Sequence, residues 1–231
     1  LPVYHPDVLV YDVFDADGKQ LAIFLADMYA RPSKRGGAWM DPARNRAHMP
    51  GLEQPPIAHL VCNFAPPGEA TPSLLTHSDV VTLFHEFGHA LHHLLTEVNY
   101  PSLAGINGVA WDAVELPSQF YEGFAWRREV LRRISAHHET GEPLPEETIA
   151  RLDGARTCLA GLAMLRQLEF ALFDLELHAA PEPPDAAGVL RTLSRVRDEV
   201  AVVEAPEFNR FANTFAHIFG GGYAAGYYSY K

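Results

Sequence analysis

Five consecutive residues, His85-Glu86-Phe87-Gly88-His89, carry the strongest chemical signal in the chain. In an α-helix, positions i and i+4 lie on one face, one turn apart, so the two imidazoles can close on a single ion. Imidazole and carboxylate ligands suit zinc, and a catalytic zinc takes three protein ligands and keeps one position for water. Glu86, next to the first histidine, is placed to act on that water as general base. The plain structural alternative is two histidines on a helix surface with a glutamate between them. A third ligand has to come from downstream, where Glu97, Asp112, Glu115 and Glu122 are the candidates. Glu97 is too near in sequence to fold back. Asp112, Glu115 and Glu122 fall on one helix face, and spacing does not choose among them. Those that are not ligands are suited to hold the imidazole N–H groups. His92, His93 and His59 read as packed or solvent-facing side chains.

A second constellation lies at the end of the chain: His217, then Gly220-Gly221-Gly222-Tyr223, then Tyr227 and Tyr230. Gly220, Gly222 and Ala225 formally satisfy a dinucleotide-binding pattern, but no strand-to-helix unit surrounds them. Two other readings stand level on the residues alone. One is a glycine loop through Gly221 and Gly222 that presents His217, Tyr223 and Tyr230 to a reacting carbonyl, where phenol and imidazole donors steady an oxyanion. The other is an aromatic helix packed into a core. No phosphate-binding loop and no nucleophile elbow competes. Cys62 and Cys158 read as small buried apolar groups.

These groups need a scaffold, and the pattern of residues outlines one. Residues 8–14 and 21–25 are rich in β-branched and aromatic types and flank Asp15-Ala16-Asp17-Gly18, which predicts a hairpin. A glycine-bearing loop at 34–39 and a strand at 57–64 follow, the latter closed by Pro66-Pro67-Gly68. Thr76-His77-Ser78-Asp79 offers caps, and Val80, Leu83, Phe84, Phe87, Leu91 and Leu94 recur at helical spacing. Helices are predicted over 113–135, 148–178 and 185–203, with Leu165, Leu168, Leu172 and Leu175 as the core stripe of the second. Residues 140–145 and 180–184 read as linkers. The expected fold is α+β and mainly α-helical, one partial domain over 1–231. Residues 1–77 form its small N-terminal β-sheet part and 78–231 its helical part. An edge strand of the sheet is open to a peptide by strand addition.

Composition narrows the classes of partner. The 231 residues hold 18 lysines and arginines against 29 acids, a net charge of −11. Such a chain repels nucleic acid and anionic lipid, and no local basic patch offsets this. Two cysteines do not make a disulfide scaffold and fit a reduced, cytoplasmic setting. No apolar run reaches the length of a membrane span.

Taken together, these segments resemble the thimet-oligopeptidase family of zinc metallopeptidases, in particular its bacterial oligopeptidase and peptidyl-dipeptidase branch. The likeness runs through Phe84 to His92, through Trp111-Asp112-Ala113-Val114-Glu115-Leu116-Pro117-Ser118-Gln119-Phe120, and through His217 to Tyr230. The loop at 34–40 and the strand at 60–64 share it. The resemblance implies a zincin-like catalytic domain with one zinc per chain, bound by His85, His89 and Glu115, and Glu86 as general base. It implies that His217, Tyr223 and Tyr230 contact substrate and steady the tetrahedral intermediate, with Tyr227, Gly221 and Gly222 along the substrate. Glu122, and Asp112 with it, would support the ligands. The implied activity is hydrolysis of short peptides, by an endopeptidase or by a peptidyl-dipeptidase. A metal- or peptide-binding module without catalysis is the alternative from another class. Family members are much longer, so the chain resembles their central catalytic part, and the remaining N- and C-terminal segments would be its partners.

Overall fold

The structure, a computed structural model, describes residues 2–230. They gather into two compact units, residues 2–110 with Val114–Ile149, and Trp111–Ala113 with residues 150–230.

The first unit is built on a four-stranded sheet of order β1-β2-β6-β3. Its strands are β1 (Leu9–Phe14), β2 (Gln20–Tyr29), β3 (Trp39–Arg44) and β6 (Ile57–Phe64); β4 (Ala47–Met49) and β5 (Leu52–Gln54) form a separate small hairpin. The first turn follows from its residues. Asp15 Oδ1 accepts the N–H groups of Asp17 and Lys19, and Gly18 takes φ +81°, a conformation costly for other residues. β6 lies between a parallel β2 and an antiparallel β3, and its near-continuous apolar run matches burial on both faces. Alternation then sorts the side chains. Ala22, Ala58, Leu60, Cys62 and Phe64 point to one face, where Ala90, Leu94, Leu83 and Phe87 of α1 (His77–Leu94) close the core. Val8, Ile23, Leu25 and Ile57 pack on the other. Burial pushes the Cys62 thiol up to about 12, as suits an inert core residue. Thr76 caps α1 through a reciprocal pair with Asp79.

Residues 113–135 do not form the single helix that their pattern suggests. They break into α2 (Leu116–Glu122), a 3₁₀ turn at Gly123–Trp126 and α3 (Arg128–Ile134), preceded by a separate 3₁₀ turn at Trp111–Ala113. Pro117 lacks an N–H and is tolerated in the first turn of α2, so the helix begins there rather than running through it. Arg127, at φ −77° and ψ 129°, is extended and separates the last two pieces. Asp112, Glu115 and Glu122 therefore do not share one continuous helix face.

The second unit is helical. The stretch 148–178 is also two helices, α4 (Glu146–Thr157) and α5 (Ala160–His178), divided where Leu159 takes a left-handed φ of 54°. Cys158, at this break, is exposed rather than buried. The core stripe of α5 is only partly the leucine one: Leu172 packs against the core, but Leu168 and Leu175 are exposed, while Phe173, Leu177, Glu169 and Asp174 are buried. Leucines lie on more than one face of this helix, and α6 (Ala186–Val200), α7 (Phe211–Thr214) and α8 (Ala216–Phe219) select the face with Phe173. Buried Glu169 is neutralised by Arg197 at 2.8 Å and Arg166 at 2.5 Å. Among the described residues, no helix is long and apolar enough to cross a membrane.

On β2 of the first unit, Asp27 is 2% exposed and accepts from Arg31, Lys34 and Tyr4. Burial alone would raise its pKa, but the bonds from Arg31 and Lys34 prevail and hold it well below the ordinary 3.8. Its contribution to stability is therefore complete above about pH 4 and decays only in stronger acid. Asp27→Ala would leave the Lys34 ammonium buried and uncompensated, and should lower the unfolding free energy by about 3–5 kcal/mol. Urea titrations at neutral pH measure this, and adding Lys34→Met should restore part of the loss.

Candidate metal centre

α1 brings His85 and His89 onto one face, with ring centroids 5.0 Å apart. α2 brings Glu115, the residue at its N-terminal boundary, against them. Glu115 Oε2 lies 3.2 Å from His85 Nε2 and 3.1 Å from His89 Nε2. All three groups are largely withdrawn from solvent, with side-chain exposures of 12%, 9% and 7%. Their ligand atoms all lie within 4.8 Å of one another. In a tetrahedral site with bonds of about 2.0–2.1 Å, neighbouring ligand atoms sit about 3.3 Å apart. The two observed separations match that spacing.

The hydrogen bonds around the triad fit a cation as well. Glu122 Oε1 is 2.6 Å from His85 Nδ1. A carboxylate only accepts, so Nδ1 carries the proton and Nε2 presents its lone pair towards Glu115. Two acceptors 3.2 Å apart repel, and either a second proton on His85 or a metal ion resolves the conflict. Burial opposes that proton, but the bonds to Glu115 and Glu122, with the charge of Glu86, raise the His85 pKa to about 9. A metal at the same point would compete with this proton. Ser118, fully buried on α2, lies with its hydroxyl 2.8 Å from Glu115 Oε2 and fixes that carboxylate. Nδ1 of His89 is buried without a hydrogen-bond partner, so Nε2 is the nitrogen that His89 offers.

Glu86 sits between the two histidines in sequence and is 7% exposed. Burial raises its pKa; the charges of His85 and His89 and a backbone bond from Met40 of β3 act against this. A carboxylate in this state is a stronger base than an exposed one and accepts a proton readily.

The convergence depends on a residue that the spacing argument passed over. A Cβ on Gly88 would stand 2.6 Å from the Pro117 carbonyl oxygen and 2.7 Å from Ser118 Cα. Only glycine lets α1 and α2 approach this closely, and that approach delivers Glu115. A glycine inside an apolar helical pattern is the sequence signal for such contact.

The remaining candidates lie elsewhere. Asp112 is exposed on the turn Trp111–Ala113, which clusters with the second unit. Among the other histidines of the first unit, His93 is fully buried and bonds through Nε2 to the Arg44 carbonyl oxygen, and His59 packs on the Tyr4 ring. In the second unit, His217, Tyr223, Tyr227 and Tyr230 form one aromatic cluster, with centroids 4.9 Å apart for His217 and Tyr230 and 5.2 Å for Tyr223 and Tyr230. Neither of the two sequence readings of this tail describes it alone: short helices and a glycine loop both contribute, and Tyr223 and Tyr227 are buried. Gly222 is at φ +88°, and its missing Cβ makes room for Trp111; a Cβ on Gly221 would crowd the His217 backbone.

The whole chain, residues 1–231, matches the profile of Peptidase family M3. It is 51% identical over 229 residues to oligopeptidase A of Escherichia coli, covering 99% of this chain and 34% of that protein. It is 48% identical over 235 residues to organellar oligopeptidase A of Arabidopsis thaliana, covering 100% of this chain and 30% of that protein. The dipeptidyl carboxypeptidase of Escherichia coli is 40% identical over 239 residues, covering 100% and 34%. The chain thus spans about a third of the length of these relatives.

Two substitutions test the geometry. Glu122→Gln should weaken divalent-metal binding about 10- to 100-fold, because it loosens the His85 ring that the carboxylate holds through Nδ1, with little change in melting temperature. Gly88→Ala should cost about 1–3 kcal/mol of stability and weaken metal binding further, since it forces α2 away. Zinc titration against a chromophoric chelator and thermal unfolding report the two effects separately.

Proposed function

The chain belongs to peptidase family M3, and we propose that it carries the catalytic centre of a zinc-dependent oligopeptidase that hydrolyses peptide bonds in short peptides. The observation that carries this reading is the meeting of two imidazoles from one turn of α1 with the Glu115 carboxylate, beside a buried Glu86. His85, His89 and Glu115 would hold the zinc, which when bound supplies carbonyl polarisation and a water of lowered pKa. Glu86 accepts the proton of the attacking water at its carboxylate and passes it to the leaving amine. Glu122 and Ser118 keep His85 and Glu115 in place. α1 against a small mixed sheet is the arrangement expected of a zincin-like domain.

The tail keeps the roles that the family likeness implies. His217, Tyr223 and Tyr230 donate to the oxygen that becomes negative, and Tyr227, Gly221 and Gly222 line the substrate. These are donors by chemistry, and their clustering supports a common task. The acidic balance of the chain fits a peptide rather than a polyanion as substrate.

A second reading is favoured by one observation. A dipeptidyl carboxypeptidase is among the relatives, alongside the oligopeptidases. The two activities differ in whether a free C-terminal carboxylate is needed. Amidating the C-terminus of an internally quenched peptide should leave cleavage intact for the oligopeptidase; abolished cleavage would assign the second activity.

Glu86→Gln should lower turnover by about 10²- to 10⁴-fold while one zinc per chain is retained. Elemental analysis with a quenched-peptide assay decides this, and loss of zinc in the variant would refute the role given to Glu86. A chelator should abolish the activity of the unmodified protein, and added zinc should restore it.

A further inference from the structure

A buried carboxylate in the second unit ties down the loop that carries the tail tyrosines. Asp174, on α5, is 0% exposed. Its Oδ1 accepts the backbone N–H of Ala225 and its Oδ2 that of Tyr227, each at 2.9 Å. His178 Nδ1, one helical turn on, lies 2.8 Å from Oδ1. Bonds to a charged acceptor are about twice as strong as neutral ones, and an unpartnered buried carboxylate is costly. Loop and carboxylate therefore hold each other.

The clamped segment is conformationally demanding. Ala225 sits at φ +57°, a region that a residue with a Cβ enters at a cost. Such a conformation persists only where surrounding contacts dictate it, and the Asp174 bond to its N–H is such a contact. The turn it fixes is the frame of the aromatic cluster. Gly226 N–H bonds to the Tyr223 carbonyl, and Tyr230 N–H to that of Tyr227, each at 2.9 Å. Tyr227 stacks on Tyr230 at 5.2 Å, and its hydroxyl reaches Gln167 of α5 at 3.1 Å.

We propose that Asp174 is a positioning residue: through the 225–227 backbone it holds Tyr223 and Tyr230 in one geometry beside His217, and so sets the rate of turnover without touching substrate. This rests on the role proposed above for the tail.

The test uses the full-length protein with zinc bound. Asp174→Asn keeps the size of the side chain but turns an amide N–H₂ towards one of the two backbone donors. In the unmodified protein the amides of Ala225 and Tyr227 should be protected from hydrogen exchange, and in the variant they should exchange about 10- to 100-fold faster. The variant should lose about 10- to 100-fold in kcat with KM nearly unchanged, as small misplacements of catalytic groups do. Combined with Tyr223→Phe, it should cost less than the product of the two separate losses. If Tyr223→Phe alone leaves kcat unchanged, the tail's role fails, and hydrogen exchange still judges the clamp. If Tyr223→Phe slows turnover while Asp174→Asn does not, or if the two losses multiply, positioning by Asp174 is overturned. Should Asp174→Asn not fold, unprotected amides at 225 and 227 in the unmodified protein overturn it, and protected ones support it.

Discussion

α1 and α2 must lie in backbone contact for Glu115 to reach the histidines, and the absence of a side chain at Gly88 makes that contact possible. Glu115 is 26 residues from His89, and its Oε2 ends 3.1 Å from that ring. An added Cβ would meet main-chain atoms at 2.6 and 2.7 Å, which no rotamer change relieves. Pro117, one of the residues at this contact, also starts the helix that presents Glu115. The glycine between the histidines thus serves the centre as directly as the histidines do, although it offers no ligand atom.

Around that contact the buried side chains of the first unit are held to different degrees. Glu122 and Ser118 each hold one member of the triad, so the ring of His85 and the carboxylate of Glu115 have little freedom. Glu86 is held more lightly, by a backbone bond from Met40 and the field of the imidazoles. The difference suits the roles proposed above, since ligands benefit from being fixed and a base that gives and takes a proton benefits from an environment that does not over-stabilise its charge. Asp27 shows the opposite extreme, three donors on one carboxylate, and acts only as an anchor for the chain between β2 and β3.

The second unit applies similar physics to a loop. Asp174 is buried on a helix and its charge is met by main-chain N–H groups of a segment 51 and 53 residues away. In the first unit the buried acid Asp27 is met by side chains, whereas in the second Asp174 is met by main-chain N–H groups of a distant segment. The tail cluster therefore depends on α5 for its order as much as on its own glycines.

Local rules were enough for the hairpin, the strand at 57–64, the start of α1 and the pairing of His85 with His89. These depend on periods of two and 3.6 residues, on capping atoms and on turn chemistry, all of which act over a few residues. The acids downstream could be named as candidates but not ranked, because their ranking depends on where α2 begins and how close it comes to α1. Residues 113–135 read as one helix because their apolar spacing is compatible with one; the breaks at Pro117 and Arg127 are set by contacts made after folding. The leucines of α5 likewise gave no face, since burial was decided by the aromatic residues of the later helices. The sequence by itself determined which groups could bind a metal and on which helix the first two stand. The tertiary structure decided how closely Glu115 comes to them and which buried carboxylate holds the tail, because both depend on main-chain atoms approaching across tens of residues.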